Sequence, residues 1–144
     1  MGILTKVFII LSCFVFVSPA FAVSELLIVT AKTHKIELTR QQIKQLYLGA
    51  RLSIDGMNLQ PLALPVGNKW RTVFNTKVMG LNEARIQSYW AQMNFTGRRT
   101  APAEINTVNK LVENVLAIPG TLAYLPDSQV DISKFHIVYR VGIE

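Results

Sequence analysis

The sequence predicts an α/β domain with a mixed sheet, on three observations. Residues 26–29 form a short, continuous apolar run with β-branched members, which is typical of a strand buried on both faces. Strand and helix patterns alternate along the rest of the chain, with no repeat, low-complexity tract or long linker. The resulting order, β-α-β-α-α-α-β-β, favours a sandwich in which some strands pair in parallel.

The first helix is predicted to begin after Thr39. This threonine is a good N-cap and Gln42 stands three residues later, which is the pattern of a capping box. Gly49 lies where a left-handed C-terminal cap is needed. The apolar face of this helix consists of Ile43, Leu46 and Tyr47.

A turn, a strand and a second helix come next. Asp55 and Gly56 mark the turn, and the apolar pattern of residues 59–64 predicts the strand. Helical spacing of apolar side chains over residues 68–78 predicts the helix, which Gly80 ends.

The third helix is predicted to begin at Asn82, a good N-cap. It carries Tyr89 and Trp90, which we interpret as core-packing residues rather than as a ligand platform, because buried aromatics are the commoner case. The remaining predicted elements are a polar loop over residues 96–102, a fourth helix over 108–116, and strands over 122–125 and 135–141.

Residues 1–22 have the pattern of a secretory signal peptide. Lys6 supplies the positive charge, residues 7–17 are apolar, and Ala20 and Ala22 form an A-x-A cleavage site. The apolar run of about 11 residues is shorter than the roughly 20 that cross a bilayer. A lipoprotein signal is the alternative, but the apolar run continues past Cys13. We therefore predict cleavage, a mature chain of residues 23–144, a periplasmic location and no stable membrane anchor.

Export changes how the composition is interpreted. Cys13 is the only cysteine and would be removed, so the mature chain has no thiol nucleophile, disulfide or cysteine metal ligand. Loss of Lys6 lowers the formal net charge from +6 to +5, that is, 14 basic minus 9 acidic residues. In an exported protein this charge indicates a small anion, an acidic protein surface or lipid head groups as partners rather than nucleic acid.

Four segments of the chain share a pattern with a known family, namely residues 38–49, 62–80, 89–97 and 119–126. In this order they resemble the periplasmic phosphate-binding proteins of ABC transporters and their half-length relatives. The resemblance implies a type 2 periplasmic-binding fold, which normally has two α/β lobes that close over an oxyanion. Residues 23–144 are long enough for one lobe, so we expect a reduced, single-lobe sandwich with a mixed sheet.

The resemblance also identifies a candidate ligand site, with a departure from the family pattern. The family's Ser-Gly-Thr at a helix start corresponds here to Asn68, Lys69 and Trp70, so the hydroxyls are absent. The helix start itself is an anion-binding feature, and Lys69 and Arg71 would add charge. The candidate ligand-binding residues are Thr30, Thr33, Gly67, Asn68, Lys69 and Arg71. The alternative is that Lys69 and Arg71 are two solvated charges on an exposed first turn.

Arg98 and Arg99 in the polar loop are candidate partner-binding residues, because guanidinium groups suit carboxylate and phosphate partners. Catalysis is not expected: the two histidines, His34 and His136, form no metal or triad pattern, and the carboxylates are scattered. We therefore predict no catalytic residue, no metal and no cofactor.

Two functions remain open. The first is a periplasmic solute-binding protein for phosphate or another small oxyanion, serving ABC-type uptake or sensing. The second is a non-catalytic envelope adaptor that reuses the fold to bind a membrane, sensor or porin protein. A single lobe could also dimerise to imitate the missing half.

Overall fold

The computed structural model describes residues 24–143, and the predicted signal peptide lies outside them. The strands are β1 (Glu25–Ala31), β2 (Ser53–Ile54), β3 (Met57–Asn58), β4 (Gln60–Ala63), β5 (Ala103–Glu104), β6 (Thr121–Pro126) and β7 (Phe135–Gly142). The helices are α1 (Arg40–Tyr47), α2 (Lys69–Phe74), α3 (Glu83–Thr96) and α4 (Val108–Ala117). A π-helical turn (Asn75–Met79) extends α2, and two 3-10 turns (Asp127–Gln129 and Ile132–Lys134) precede β7.

Five strands form one mixed sheet in the order β5-β4-β6-β1-β7. β4 pairs in parallel with β5 and β6, whereas β1 pairs antiparallel with β6 and β7. The four apolar residues 26–29 of β1 are completely buried. The predicted mixed α/β sheet and its buried first strand are therefore confirmed.

The capping signals of α1 form as predicted. Thr39 Oγ1 accepts a hydrogen bond from the Gln42 amide, and Gln42 Oε1 accepts one from the Thr39 amide. Gly49 follows the C-cap with a φ of +83°, in the left-handed region that favours glycine. Both ends of this helix form as the local sequence predicts.

The second helix differs from the prediction. Residues 68–78 were expected to form one α-helix, but α2 ends at Phe74 and a π-helical turn carries the chain to Gly80. The Leu81 amide donates to the Asn75 carbonyl at 3.2 Å across this turn. The apolar spacing of so short a segment does not distinguish the two helix types.

An aromatic cluster joins the helices to the sheet. The rings of Phe74 and Tyr124 stack with their centroids 4.2 Å apart. The ring centroids of Tyr47 and Phe74 are 4.5 Å apart. Trp90 is buried and Tyr89 is half-buried beside it, so the interpretation of these two residues as core packing is confirmed.

Two small elements were not predicted. β2 and β3 form a two-residue hairpin around Asp55 and Gly56, whose φ values are +51° and +79°, so the predicted turn at these residues is confirmed. β5 adds two residues to the edge of the sheet. Strands this short have no detectable alternation of apolar residues.

Among residues 24–143, no helix has the length and apolarity needed to span a membrane.

Candidate functional site

The predicted ligand-binding residues lie at two opposite ends of the sheet. β1 runs antiparallel to β6, and β6 runs parallel to β4, so the C-terminal end of β1 lies level with the N-terminal end of β4. Thr30 and Thr33 are at that end, whereas Gly67, Lys69 and Arg71 follow the C-terminal end of β4. The expectation that the two groups share one site is wrong, because sequence patterns do not specify the direction of β1.

The two threonines have different surroundings. Thr30 is completely buried, and its hydroxyl has no hydrogen-bond partner in the described part of the chain. Thr33 is exposed in the turn after β1, and its hydroxyl lies 2.9 Å from Nδ1 of His34. Neither hydroxyl is placed to join a ligand at the start of α2.

The start of α2 is partly satisfied by its own residues. Asn68 is the N-cap, and its Oδ1 accepts a hydrogen bond from the Trp70 amide at 2.9 Å. That amide is one of those an anion at a helix start would use. Gly67 is exposed, with a φ of +88° and open space beside its Cα. The Lys69 ammonium lies 4.5 Å from the centre of the Trp70 ring.

Arg71 is buried and used internally. It makes four hydrogen bonds of 2.8–3.0 Å: one to the Leu64 carbonyl, one to Glu104 and two to Glu83. Burial lowers the pKa of Arg71, but the hydrogen bonds and charge of Glu83 outweigh this effect, and the net direction is upward. The alternative interpretation of Arg71, as a solvated charge on an exposed first turn, is wrong. The residue ties β4 and β5 to α3.

Glu83 is the centre of the same network. Besides Arg71, it accepts hydrogen bonds from the side-chain amides of Asn75 at 2.8 Å and Gln87 at 2.6 Å. The hydrogen bond from Arg71 is the largest cause that holds the pKa of Glu83 below its ordinary value. No sequence motif marks this carboxylate, because its partners are 4 to 12 residues away: Arg71 in α2, Asn75 in the π-helical turn and Gln87 one turn along α3.

A cleft of about 640 Å³ lies on another part of the molecule. Its lining consists of Leu46 and residues 49–52, 58–62 and 97–103. Arg51 enters from the segment after α1, and Arg98 and Arg99 enter from the loop between α3 and β5. None of the lining residues is acidic, and within residues 24–143 none of these three arginines forms a salt bridge.

Arg99 is held in a defined position. Its Nη1 donates to the Leu48 carbonyl at 3.0 Å and to the Tyr89 hydroxyl at 3.1 Å, and that hydroxyl donates to the same carbonyl at 2.6 Å. The arginine stem packs over Gly49, where an added Cβ would lie 2.9 Å from Arg99 Cβ. Gly49 is therefore required both by its φ and by this contact.

The cleft contains both arginines that the sequence analysis proposed for a partner, together with Arg51, which it missed. Arg51 and Arg99 are 48 positions apart, and no local motif marks Arg51.

Among the described residues, no three His, Cys, Asp or Glu side chains are close enough to bind a metal ion. The ring nitrogen Nε2 of His136 lies 2.8 Å from the Ile36 carbonyl.

No protein-family model matches this chain, and no curated protein matches it. Its structure is similar to the crystal structure of an ABC-type phosphate transport receptor from Vibrio cholerae, with a TM-score of 0.60 and 15% sequence identity. The match covers 81% of this chain and 46% of that receptor, so the chain spans less than half of the receptor's length. This likeness shows the fold: the chain has the mixed α/β architecture of a single periplasmic-binding-protein-like lobe.

Proposed function

We propose that this chain is an exported, non-catalytic binding protein that recognises an anion, with phosphate or another small oxyanion as the first candidate ligand. The observation that carries the proposal is the structural likeness to a phosphate transport receptor. The proposed context is ABC-type uptake or sensing in the periplasm, after residues 1–22 are removed.

For a small oxyanion, the proposed contacts are at the start of α2. Gly67 is exposed, the Lys69 ammonium is exposed beside it, and backbone amides of a helix start attract negative charge. Arg71 takes part only as the residue that fixes α2 in place, because its hydrogen bonds are made within the protein. Thr30 and Thr33 are at the opposite end of the sheet and are not part of this proposed site.

Isothermal titration of the processed protein with phosphate and sulfate tests this candidate. We expect Lys69→Ala to weaken binding about three- to tenfold, since one charge-assisted contact is removed. Lys77→Ala is the matched control, because Lys77 is an exposed lysine on the following π-helical turn. Absence of heat and of a thermal shift at millimolar phosphate and sulfate would exclude small-oxyanion binding.

The second candidate function is an envelope adaptor that binds another protein without a small ligand. Two observations favour it. The chain corresponds to less than half of the phosphate receptor, so a second lobe that could close over an anion is not part of the match. In addition, the predicted ligand residues do not converge, whereas three arginines line a separate cleft. Affinity capture from envelope extract with a cleft variant as control tests this candidate.

A further inference from the structure

We propose that the arginine cleft, lined by Arg51, Arg98 and Arg99, is a docking groove for an acidic peptide segment of a partner protein. This inference rests on the second candidate function and names the surface and the partner chemistry. The start of α2, proposed above for a small oxyanion, is not part of this groove.

The side chains that line the groove give it a positive charge. Arg51 lines the cleft from the segment after α1 and Arg98 and Arg99 line it from the loop after α3, and no carboxylate lines the cleft among the described residues. In the described chain, Arg71 and Arg140 are paired with glutamates, whereas Arg40, Arg85 and the three cleft arginines form no salt bridge. The cleft arginines differ from the other two because all three line one cleft without a carboxylate, and such a surface suits a partner of opposite charge.

The geometry of Arg99 is the second argument. Both hydrogen bonds that hold its guanidinium are made by Nη1. The opposite edge, formed by Nε and Nη2, donates to no group in the described part of the chain. This edge is the fork that binds a carboxylate with two parallel hydrogen bonds. Because the protein already holds Arg99 in place, binding costs little side-chain entropy.

The size and exposure of the cleft favour a peptide over a free oxyanion. A volume of about 640 Å³ lies within the roughly 300–1,000 Å³ of pockets that hold much larger ligands than phosphate. The three arginines are exposed rather than enclosed, so they would not surround a small ion. An extended segment with several carboxylates can contact more than one of the three arginines at once.

Phe95 supplies a further indication of a protein partner. It lies in the last turn of α3, three residues before Arg98, and is 94% exposed, the highest value among the large apolar residues that the structure leaves exposed. Aromatic and arginine side chains are enriched in protein interfaces. An exposed aromatic ring so near Arg98 and Arg99 in the sequence suits a peptide that carries apolar as well as acidic residues.

Fluorescence anisotropy with a defined probe tests the proposal. The probe is a labelled peptide of about ten residues that alternates Glu and Ser around one Phe, and its control carries Gln in place of every Glu. We expect binding of the Glu peptide only, and a loss of about tenfold in affinity for the Arg51→Ala/Arg98→Ala double variant. Arg85→Ala, which removes an exposed arginine of α3 outside the cleft, should bind as the wild type does.

Three outcomes would overturn the proposal. The first is no binding of the Glu peptide, and the second is equal weakening by Arg85→Ala and by the cleft double variant, which indicates a general charge effect. The third is cleft-dependent binding of phosphate or of phosphatidylglycerol vesicles without binding of the peptide. Absence of phosphate and sulfate binding to the wild type, with peptide binding retained, would exclude only the small-oxyanion site, so the two proposals can fail separately.

Discussion

Arg71 and Glu83 form a two-point ion pair, with Nη2 to Oε1 at 2.8 Å and Nε to Oε2 at 3.0 Å. The pair joins α2 to the first turn of α3, and the remaining contacts of Arg71 extend to Leu64 and Glu104. An arginine that the sequence indicates as a candidate anion ligand is therefore bound by the protein's own carboxylates.

Replacing Arg71 should destabilise the fold. Arg71→Ala leaves Glu83 without its cationic partner and the Leu64 carbonyl without this donor, so we expect a loss of about 2–4 kcal/mol in the free energy of unfolding. Arg71→Lys should recover only part of it, because an ammonium cannot make the two parallel bonds to Glu83. Urea denaturation measures the effect. Arg85→Ala is the control, and a similar small loss in both variants would contradict the structural role of Arg71.

The same pair predicts a dependence of stability on pH. The pKa of Glu83 is lowered in the folded protein, mainly by the hydrogen bond from Arg71. A lowered folded-state pKa means that the ionised carboxylate stabilises the protein above its unfolded-state pKa, and that this contribution is lost as pH falls through the folded-state value. We therefore expect Glu83→Gln to lose stability at pH 7 and to differ less from the wild type as the pH falls below about 4.5.

Urea denaturation at several pH values measures this difference. Glu113→Gln is the matched control, because Glu113 is exposed on α4 and forms no salt bridge within residues 24–143. A constant difference between Glu83→Gln and the wild type over the acidic range would contradict the assignment of Glu83 as the titrating group.

Sequence reasoning succeeded where a few neighbouring residues determine the structure. The capping box of Thr39 and Gln42 and the left-handed Gly49 are local, and both are confirmed. It failed where residues far apart meet: nothing in the sequence indicates that Arg71 reaches Glu104, 33 residues away. The direction of β1 relative to β4 is likewise a property of the whole sheet. Sequence patterns therefore do not indicate that Thr30 lies at the opposite end of the sheet from the start of α2.

Tyr124 links the aromatic cluster to the end of β4. Its hydroxyl accepts a hydrogen bond from the Leu64 amide at 2.8 Å in a buried environment. Tyr124→Phe keeps the ring stacked on Phe74 but leaves this buried amide without its acceptor, so we expect a loss of about 1–3 kcal/mol. Thermal and urea denaturation measure it. Tyr139→Phe is the control, because the Tyr139 ring is half-buried on β7, and an equal loss in both would contradict the prediction.

Gly49 and Gly56 allow the contact with Arg99 to be separated from backbone strain. Both have a positive φ, +83° and +79°, so an alanine at either position incurs a similar backbone cost of about 1 kcal/mol. At Gly56 a Cβ meets nothing within 4 Å, whereas at Gly49 it would lie 2.9 Å from Arg99 Cβ and 3.0 Å from the Trp90 ring.

We therefore expect Gly49→Ala to reduce the free energy of unfolding by about 1–3 kcal/mol more than Gly56→Ala, because close-packed neighbours have to shift. The displacement of Arg99 should also weaken binding of the acidic peptide, whereas Gly56→Ala should leave that binding unchanged. Urea denaturation and fluorescence anisotropy measure the two effects on the same samples. Equal losses of stability in the two variants would show that the contact between Gly49 and Arg99 is not tight in solution, since only the shared backbone cost would remain.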